Sequence, residues 1–251
     1  MNDELVSIVT PAYRAASYIG DTIACVQSQT YSRWEMLIVD DCSPDDTPEV
    51  ARAAADGDSR IRIIRQESNG GPAAARNRAL AEARGDWVAF LDSDDLWLPR
   101  KLQRQIAFHT GTDAKITYTA FRRISADGAA VGAQVHIPAS LDYRRLLGNT
   151  AIATSTVLID RRRTGPIQMK KVYYDDFVCW LDILREGGVA LGLQEDLMRY
   201  RVVGGSVSRN KGKSAREVWR IYRETLGLSP LSAAWNFSRY AANGVLKYAR
   251  F

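Results

Sequence analysis

The sequence predicts an α/β fold: a mixed, mainly parallel sheet with helices on both faces, followed by a C-terminal helical tail. Three observations carry this. Over the first 110 residues short apolar runs alternate with helical patterns. Beyond them the alternation gives way to a hairpin signal and scattered strands. The C-terminal segment then interleaves aromatic with basic residues at helical spacing. Strands alternating with helices read as βαβ units and hence as a parallel sheet covered on both sides. With 251 residues and 46% hydrophobic content, the chain is long enough to bury one large core.

The elements follow in order. Leu5-Val-Ser-Ile-Val-Thr10 is the first strand, with a helix from Ala16 to Gln29. Trp34-Glu-Met-Leu-Ile-Val39 precedes a helix over Thr47 to Ala55, and Ile61-Arg-Ile-Ile64 precedes one over Pro72 to Arg84. Trp87-Val-Ala-Phe-Leu91 leads to a helix from Pro99 to His109. Lys115 to Ile124 and Val131 to Ile137 flank Ala126-Asp-Gly128, a hairpin signal, and Ser155-Thr-Val-Leu-Ile159 reads as a further strand. A helix starting near Asp176 puts Trp180, Leu181 and Leu184 on one face and ends at Gly187-Gly188.

Composition excludes several classes. Cys25, Cys42 and Cys179 are odd in number and widely spaced, which argues against a disulfide framework or zinc site and predicts buried free thiols. His109 and His136 lack metal-ligand spacing. No apolar run approaches the roughly 20 residues that span a bilayer, so the chain is expected in the cytoplasm. The net charge of +5 is uneven: 11 Lys/Arg stand against two Glu from Arg199 onward, leaving 23 basic and 27 acidic residues before it. Trp219, Tyr222, Trp235, Phe237, Tyr240, Tyr248 and Phe251 lie among these basic residues. Such helices suit the headgroup region of an anionic membrane, and equally suit packing on the preceding domain. Nucleic acid is not an expected partner, because no nucleic-acid motif accompanies the charge.

Candidate chemistry gathers at predicted strand ends, the edge where open α/β sheets bind ligands. Asp92, Asp94 and Asp95 follow the fourth strand. Carboxylates this close repel one another, so the crowding calls for a divalent cation. Pro11 and Tyr13 follow the first strand and Asp41 the second. A tyrosine ring can stack on a base and a carboxylate can accept from base or ribose, although a loop aromatic and a capping carboxylate are the plain alternatives. Ser68-Asn-Gly-Gly-Pro-Ala-Ala-Ala-Arg-Asn-Arg78 opens a helix whose free N–H groups, with Arg76, could hold a phosphate; a simple turn with solvated arginines is the other reading.

In this order and spacing the motifs are similar to those of the inverting glycosyltransferases of family 2. They are Ser7-Ile-Val-Thr-Pro-Ala-Tyr13, Ile38-Val-Asp-Asp-Cys-Ser43, the Gly-x-x-x-Ala-Arg-Asn loop ending at Asn77, Leu91-Asp-Ser-Asp-Asp95, Tyr174-Asp-Asp-Phe177 and Tyr200-Arg-Val-Val-Gly-Gly-Ser-Val-Ser208. The resemblance implies a GT-A (nucleotide-diphospho-sugar transferase, Rossmann-like) fold over residues 1–210, with 1–110 the nucleotide-sugar half, 111–210 the acceptor half and 211–251 the tail.

It implies further that Asp92-Ser93-Asp94 is the D-x-D motif, with Asp94, and Asp92 beside it, on a Mn²⁺ or Mg²⁺ that bridges the donor diphosphate; Asp95 fits a third acidic position. Pro11, Tyr13 and Asp41 correspond to the nucleoside pocket, with a UDP-sugar as donor and a glycan or lipid-linked glycan as acceptor. Asp176, the second of the pair Asp175-Asp176, corresponds to the general base; helix-dipole carboxylates are the plain alternative, and Glu195-Asp196 is a rival acidic pair. The Gly204 to Ser208 loop would close over the acceptor, with Arg209 or Lys211 near it. Arg14 stands where the family often has Asn and Cys42 where it often has Gly. The processive Q-x-x-R-W signature is absent, which implies one sugar per encounter. An inactive sugar-nucleotide-binding subunit and a haloacid-dehalogenase-type phosphatase are the alternatives; the phosphatase would need its D-x-D on the first strand.

Overall fold

A computed structural model of the protein describes residues 4–203 and 211–249. The first half is four βα units: β1 (Val6–Ala12), α1 (Ile19–Gln27), β2 (Trp34–Asp40), α2 (Thr47–Ala55), β3 (Ile61–Arg65), α3 (Pro72–Glu82), β4 (Trp87–Phe90), a two-residue β5 (Leu96–Trp97) and α4 (Lys101–Thr110). The second half holds β6 (Ile116–Ile124), β7 (Val131–Val135), β8 (Ser140–Leu141), α5 (Tyr143–Leu147), β9 (Leu158–Asp160), α6 (Arg161–Thr164), α7 (Asp175–Arg185) and β10 (Ala190–Arg201). α8 (Lys211–Arg220) and α9 (Pro230–Ala249) follow, joined through a π-helical turn at Ile221–Thr225.

The strands form one sheet in the order β3-β2-β1-β4-β9-β6-β10-β5, with β7 added beside β6 and β8 beside β10. β3, β2, β1 and β4 are mutually parallel, and so are β6 and β10; the short β9 is antiparallel to both β4 and β6 and joins the two blocks. The sheet is therefore mixed and mainly parallel, as the alternation implied. β1, β2 and β4 are almost wholly buried, which is why they read as continuous apolar runs. Within this core Glu35 is satisfied by the Ser7 hydroxyl and by the Arg84 backbone and side chain. Because β2 and β4 flank β1 on opposite sides, the strand order reverses at β1 and leaves a crevice at the carboxyl ends of β1 and β4.

α7 buries Phe177, Val178, Trp180, Leu181 and Leu184, with Trp180 edge-on to Phe90 at 5.3 Å between ring centroids. α8 and α9 pack on the preceding chain: Val218, Ile221, Tyr222 and Ala233 are buried, the Tyr222 hydroxyl donates to the Leu147 carbonyl, and Asn243 Nδ2 donates to the Gly148 carbonyl at 2.8 Å. No helix among the described residues is long and apolar enough to cross a membrane.

Some expectations need correction. The strand read from Ser155 begins later, because Thr154–Thr156 forms a 3₁₀ turn in which Ser155 bonds the Asp92 backbone and the Asp95 carboxylate. Of the three free cysteines only Cys179 is fully buried; Cys25, in the last turns of α1, and Cys42, just after β2, are half-buried. His109 is a core residue bonded to Thr117 and the Ala114 carbonyl, and burial pushes its pKa down to about 4.

Candidate active site

Nine residues nominated from the sequence border one cavity of about 1140 Å³ at the crevice: Pro11, Tyr13, Asp41, Arg76, Asp92, Ser93, Asp94, Asp175 and Asp176. Asp94 and Asp176, widely separated in the chain, thus share one space. Its far wall comes from α5, the 149–154 segment and α9, through residues such as Leu146, Thr154, Phe237 and Tyr240.

At the cavity rim Tyr13 is 45% exposed, with the Arg14 guanidinium 5.4 Å from its ring centre. Arg14 and Cys42, the two departures from the resembled pattern, both adopt left-handed backbone, at φ +52° and +56°. Asn and Gly are the residues that enter this region most readily, so these two positions hold the required conformation against intrinsic preference. Asp41 is buried and accepts from the Gly70 N–H at 2.7 Å, the Gly71 N–H at 2.8 Å and the Gln66 amide. The amides of the glycine loop ahead of α3, expected to meet a phosphate, are therefore spent on Asp41. Gly71 sits at φ +86°, a conformation a side chain would strain.

Arg76 also differs from expectation. It is 6% exposed, and its fork bridges Asp92 Oδ1 and Asp175 Oδ2, each at 2.7 Å. Burial works against its charge, but Asp92, Asp175 and Asp176 outweigh that and hold it more firmly protonated than usual. The next residue, Asn77, exchanges two 2.8 Å hydrogen bonds with the Met169 backbone, fastening α3 to the segment that leads into α7. Arg78 pairs with Glu82 on the exposed face of α3.

In the D-x-D turn the three carboxylates have separate surroundings. Asp92 is paired with Arg76. Asp95 is buried, accepting from the Ser155 hydroxyl at 2.6 Å and the Arg201 N–H at 2.9 Å, so it ties β4 to the 3₁₀ turn and to β10. Burial and then its acidic neighbours Asp94 and Asp92 raise its pKa well above the carboxylate range. Asp94 forms no ion pair among the described residues, and burial followed by Asp92 pushes its pKa up to about 6.

Asp176 lies in the first turn of α7. Its Oδ2 accepts from the Thr154 hydroxyl at 2.6 Å and its Oδ1 from the Phe177 N–H at 2.7 Å. Burial and Asp175 raise its pKa; Arg76 and the two hydrogen bonds pull it back. The rival pair is occupied elsewhere: Glu195 is bonded to Arg104, and Asp196 to Arg122 and Arg199, and neither borders the cavity. The Gly204 to Ser208 loop, Arg209 and the Lys211 side chain lie outside the described residues. Reasoning from sequence missed Thr154, Ser155, Arg201 and the α9 residues; only Arg201, inside the Tyr200-to-Ser208 motif, carried a signal.

Comparison with known proteins identifies the family and the fold. Residues 7–163 match the profile of Glycosyl transferase family 2. The chain is 43% identical over 244 residues to a Bacillus subtilis (strain 168) protein assigned to teichuronic acid biosynthesis as the glycosyltransferase TuaG, covering 97% of each chain. It is 34% identical over 250 residues to the Escherichia coli UDP-Glc:alpha-D-GlcNAc-diphosphoundecaprenol beta-1,3-glucosyltransferase WfgD, covering 99% of this chain and 97% of the other. Among solved structures, S. aureus TarS 1–349 in complex with UDP-GlcNAc superposes with a TM-score of 0.72 at 19% identity, over 95% of this chain and 71% of that one. The mannosyltransferase PcManGT of Pyrobaculum calidifontis, in complex with GDP-Man and Mn²⁺, superposes with a TM-score of 0.70 at 17% identity, over 97% and 75%. The protein belongs to glycosyl transferase family 2 and is a glycosyltransferase of GT-A fold.

Proposed function

We propose that the protein transfers a sugar, with inversion, from a UDP-sugar to a glycan or lipid-linked glycan, assisted by a divalent cation and with Asp176 as general base. The observation that carries the reading is the shared cavity, which Asp94 and Asp176 both border while Arg76 bridges their near neighbours Asp92 and Asp175. WfgD, at 34% identity over nearly the whole chain, takes UDP-Glc and a diphosphoundecaprenol-linked sugar, which supports both the nucleotide and the acceptor class.

Among the described residues no three His, Cys, Asp or Glu side chains could hold a metal by themselves. The donor set nevertheless fits a cation of the Mg²⁺ or Mn²⁺ type, which needs one or two protein carboxylates when phosphate and water complete its shell. Asp94, crowded by Asp92 and in no ion pair among the described residues, is the carboxylate such a charge would stabilise, with Asp92 beside it. A bound cation supplies Lewis-acid neutralisation of the charge on the departing nucleoside diphosphate.

The chain's own residues do the rest. Pro11, Tyr13 and Asp41 frame the nucleoside, with Tyr13 offering a ring face for stacking. Thr154 and the Phe177 N–H orient the Asp176 carboxylate to accept the acceptor hydroxyl's proton as that oxygen attacks the anomeric carbon opposite the leaving group. Residues 1–110 are the nucleotide-sugar half and 111–210 the acceptor half. Nucleotide release measured over a panel of UDP- and GDP-sugars, with Mn²⁺ and with chelator, tests the reading. Release from UDP-sugars that stops on chelation is expected; release indifferent to chelator, or none with any donor, overturns it.

A further inference from the structure

Helices on the surface of a water-soluble domain normally turn charges outward. α9 does not. Between Pro230 and Gly244 its one charged residue is Arg239, half-buried and donating to the Arg144 carbonyl at 3.0 Å. Its outward stripe, at helical spacing, is Leu231, Ala234, Trp235, Ser238, Ala241 and Ala242, with Leu231 85% and Trp235 67% exposed. Trp219 of α8, 39% exposed, packs edge-on to Phe237 and extends the apolar area. Arg144 of α5, whose carbonyl receives Arg239, its chain neighbour Arg145, and Arg216, one helical turn before Trp219 on α8, are all exposed and in no ion pair among the described residues. Phe237, Tyr240 and Ala241 of the same helix border the active-site cavity.

We propose that this α9 face, with its arginine collar, docks on the surface of an anionic phospholipid bilayer and sets the acceptor side of the cavity at the headgroup level. Tryptophan favours that interface, an uncharged apolar stripe buries there without desolvating charge, and arginines at the edge meet anionic headgroups. The face lies beside the cavity wall, so a sugar carried on a membrane lipid would reach Asp176 without leaving the bilayer surface; this purpose rests on the lipid-linked acceptor proposed above.

Sedimentation of the full chain with vesicles tests the surface without donor or acceptor. Binding to phosphatidylglycerol-containing vesicles is expected, weakened by salt and weaker still to pure phosphatidylcholine. The double variant Leu231→Ser/Trp235→Ser should lose about tenfold in partitioning while keeping its cooperative thermal transition. Val131→Ser, which removes an exposed apolar side chain on β7, should change nothing, and Arg144→Gln/Arg145→Gln should weaken only the anionic-lipid arm. No vesicle binding by the parent chain, equal binding by the Leu231/Trp235 variant, or loss of self-association in that variant without vesicle binding would overturn the proposal. Nucleotide release onto a soluble acceptor with no vesicle binding sinks this surface alone; vesicle binding with no nucleotide release sinks the transferase assignment instead.

Discussion

Arg76 donates to Asp175 Oδ2 at 2.7 Å through one arm of its guanidinium while the other arm holds Asp92, so one buried cation joins the D-x-D turn to the first turn of α7. Removing a partner from a buried pair leaves an uncompensated charge. Arg76→Met should therefore cost about 3–5 kcal/mol of stability, read from denaturant unfolding. Arg76 also pulls the Asp176 pKa down, so its loss should move the acid limb of the transfer profile to higher pH. Arg76→Lys keeps the charge but not the fork, and should hold the limb closer to its parent position while lowering turnover. An unmoved limb in Arg76→Met would separate the bridge from the chemistry.

Asp176→Asn should retain UDP-sugar affinity and lose about 10²–10⁴-fold in transfer rate, the range a positioned base contributes. Titration calorimetry and single-turnover transfer, measured together, check this. Wild-type-like transfer would move the base elsewhere.

Asp94 has a pKa of about 6 in the fold against 3.8 for an ordinary aspartate. A raised value means the folded state holds its proton longer. This group's contribution to stability is complete below 3.8 and lost as pH rises through about 6. A cation needs the ionised form. Mn²⁺ together with UDP should thus raise the melting temperature more at neutral pH than at pH 5, and Asp94→Asn should be more stable than the parent at neutral pH without metal yet give no metal response. An equal Mn²⁺-dependent shift at both pH values would remove Asp94 from the cation site.

Cys42→Gly relieves a left-handed backbone at φ +56° and should stabilise the protein by about 1 kcal/mol, visible as a higher melting temperature with unchanged donor affinity. A drop in stability would mean that the contact of the Cys42 thiol with the Glu67 carbonyl outweighs the strain.

Most of the four βα units were legible because β1, β2 and β4 are buried on both faces and α1, α2 and α4 carry a 3.6-residue apolar period, so pattern and burial coincide. The strand-end and α7 carboxylates bordering the cavity were legible as motifs. What escaped was whatever depends on partners distant in the chain. β5 is two residues long and exists only through antiparallel pairing with Met198 and Arg199. The fate of Arg76 is settled by Asp92 and Asp175, which nothing local announces. The helical character of the tail was evident, but its place as a cavity wall depends on Asn243 reaching the Gly148 carbonyl.

Arg76 and Asn77 are consecutive on α3, and between them they grip Asp92, Asp175 and the backbone of Met169. Neighbours on one rigid helix cannot let go of one side while following the other, so the two sides of the cleft are stapled and cannot swing apart like jaws. Opening the cleft along that line would have to break two ion pairs and two hydrogen bonds in a single movement.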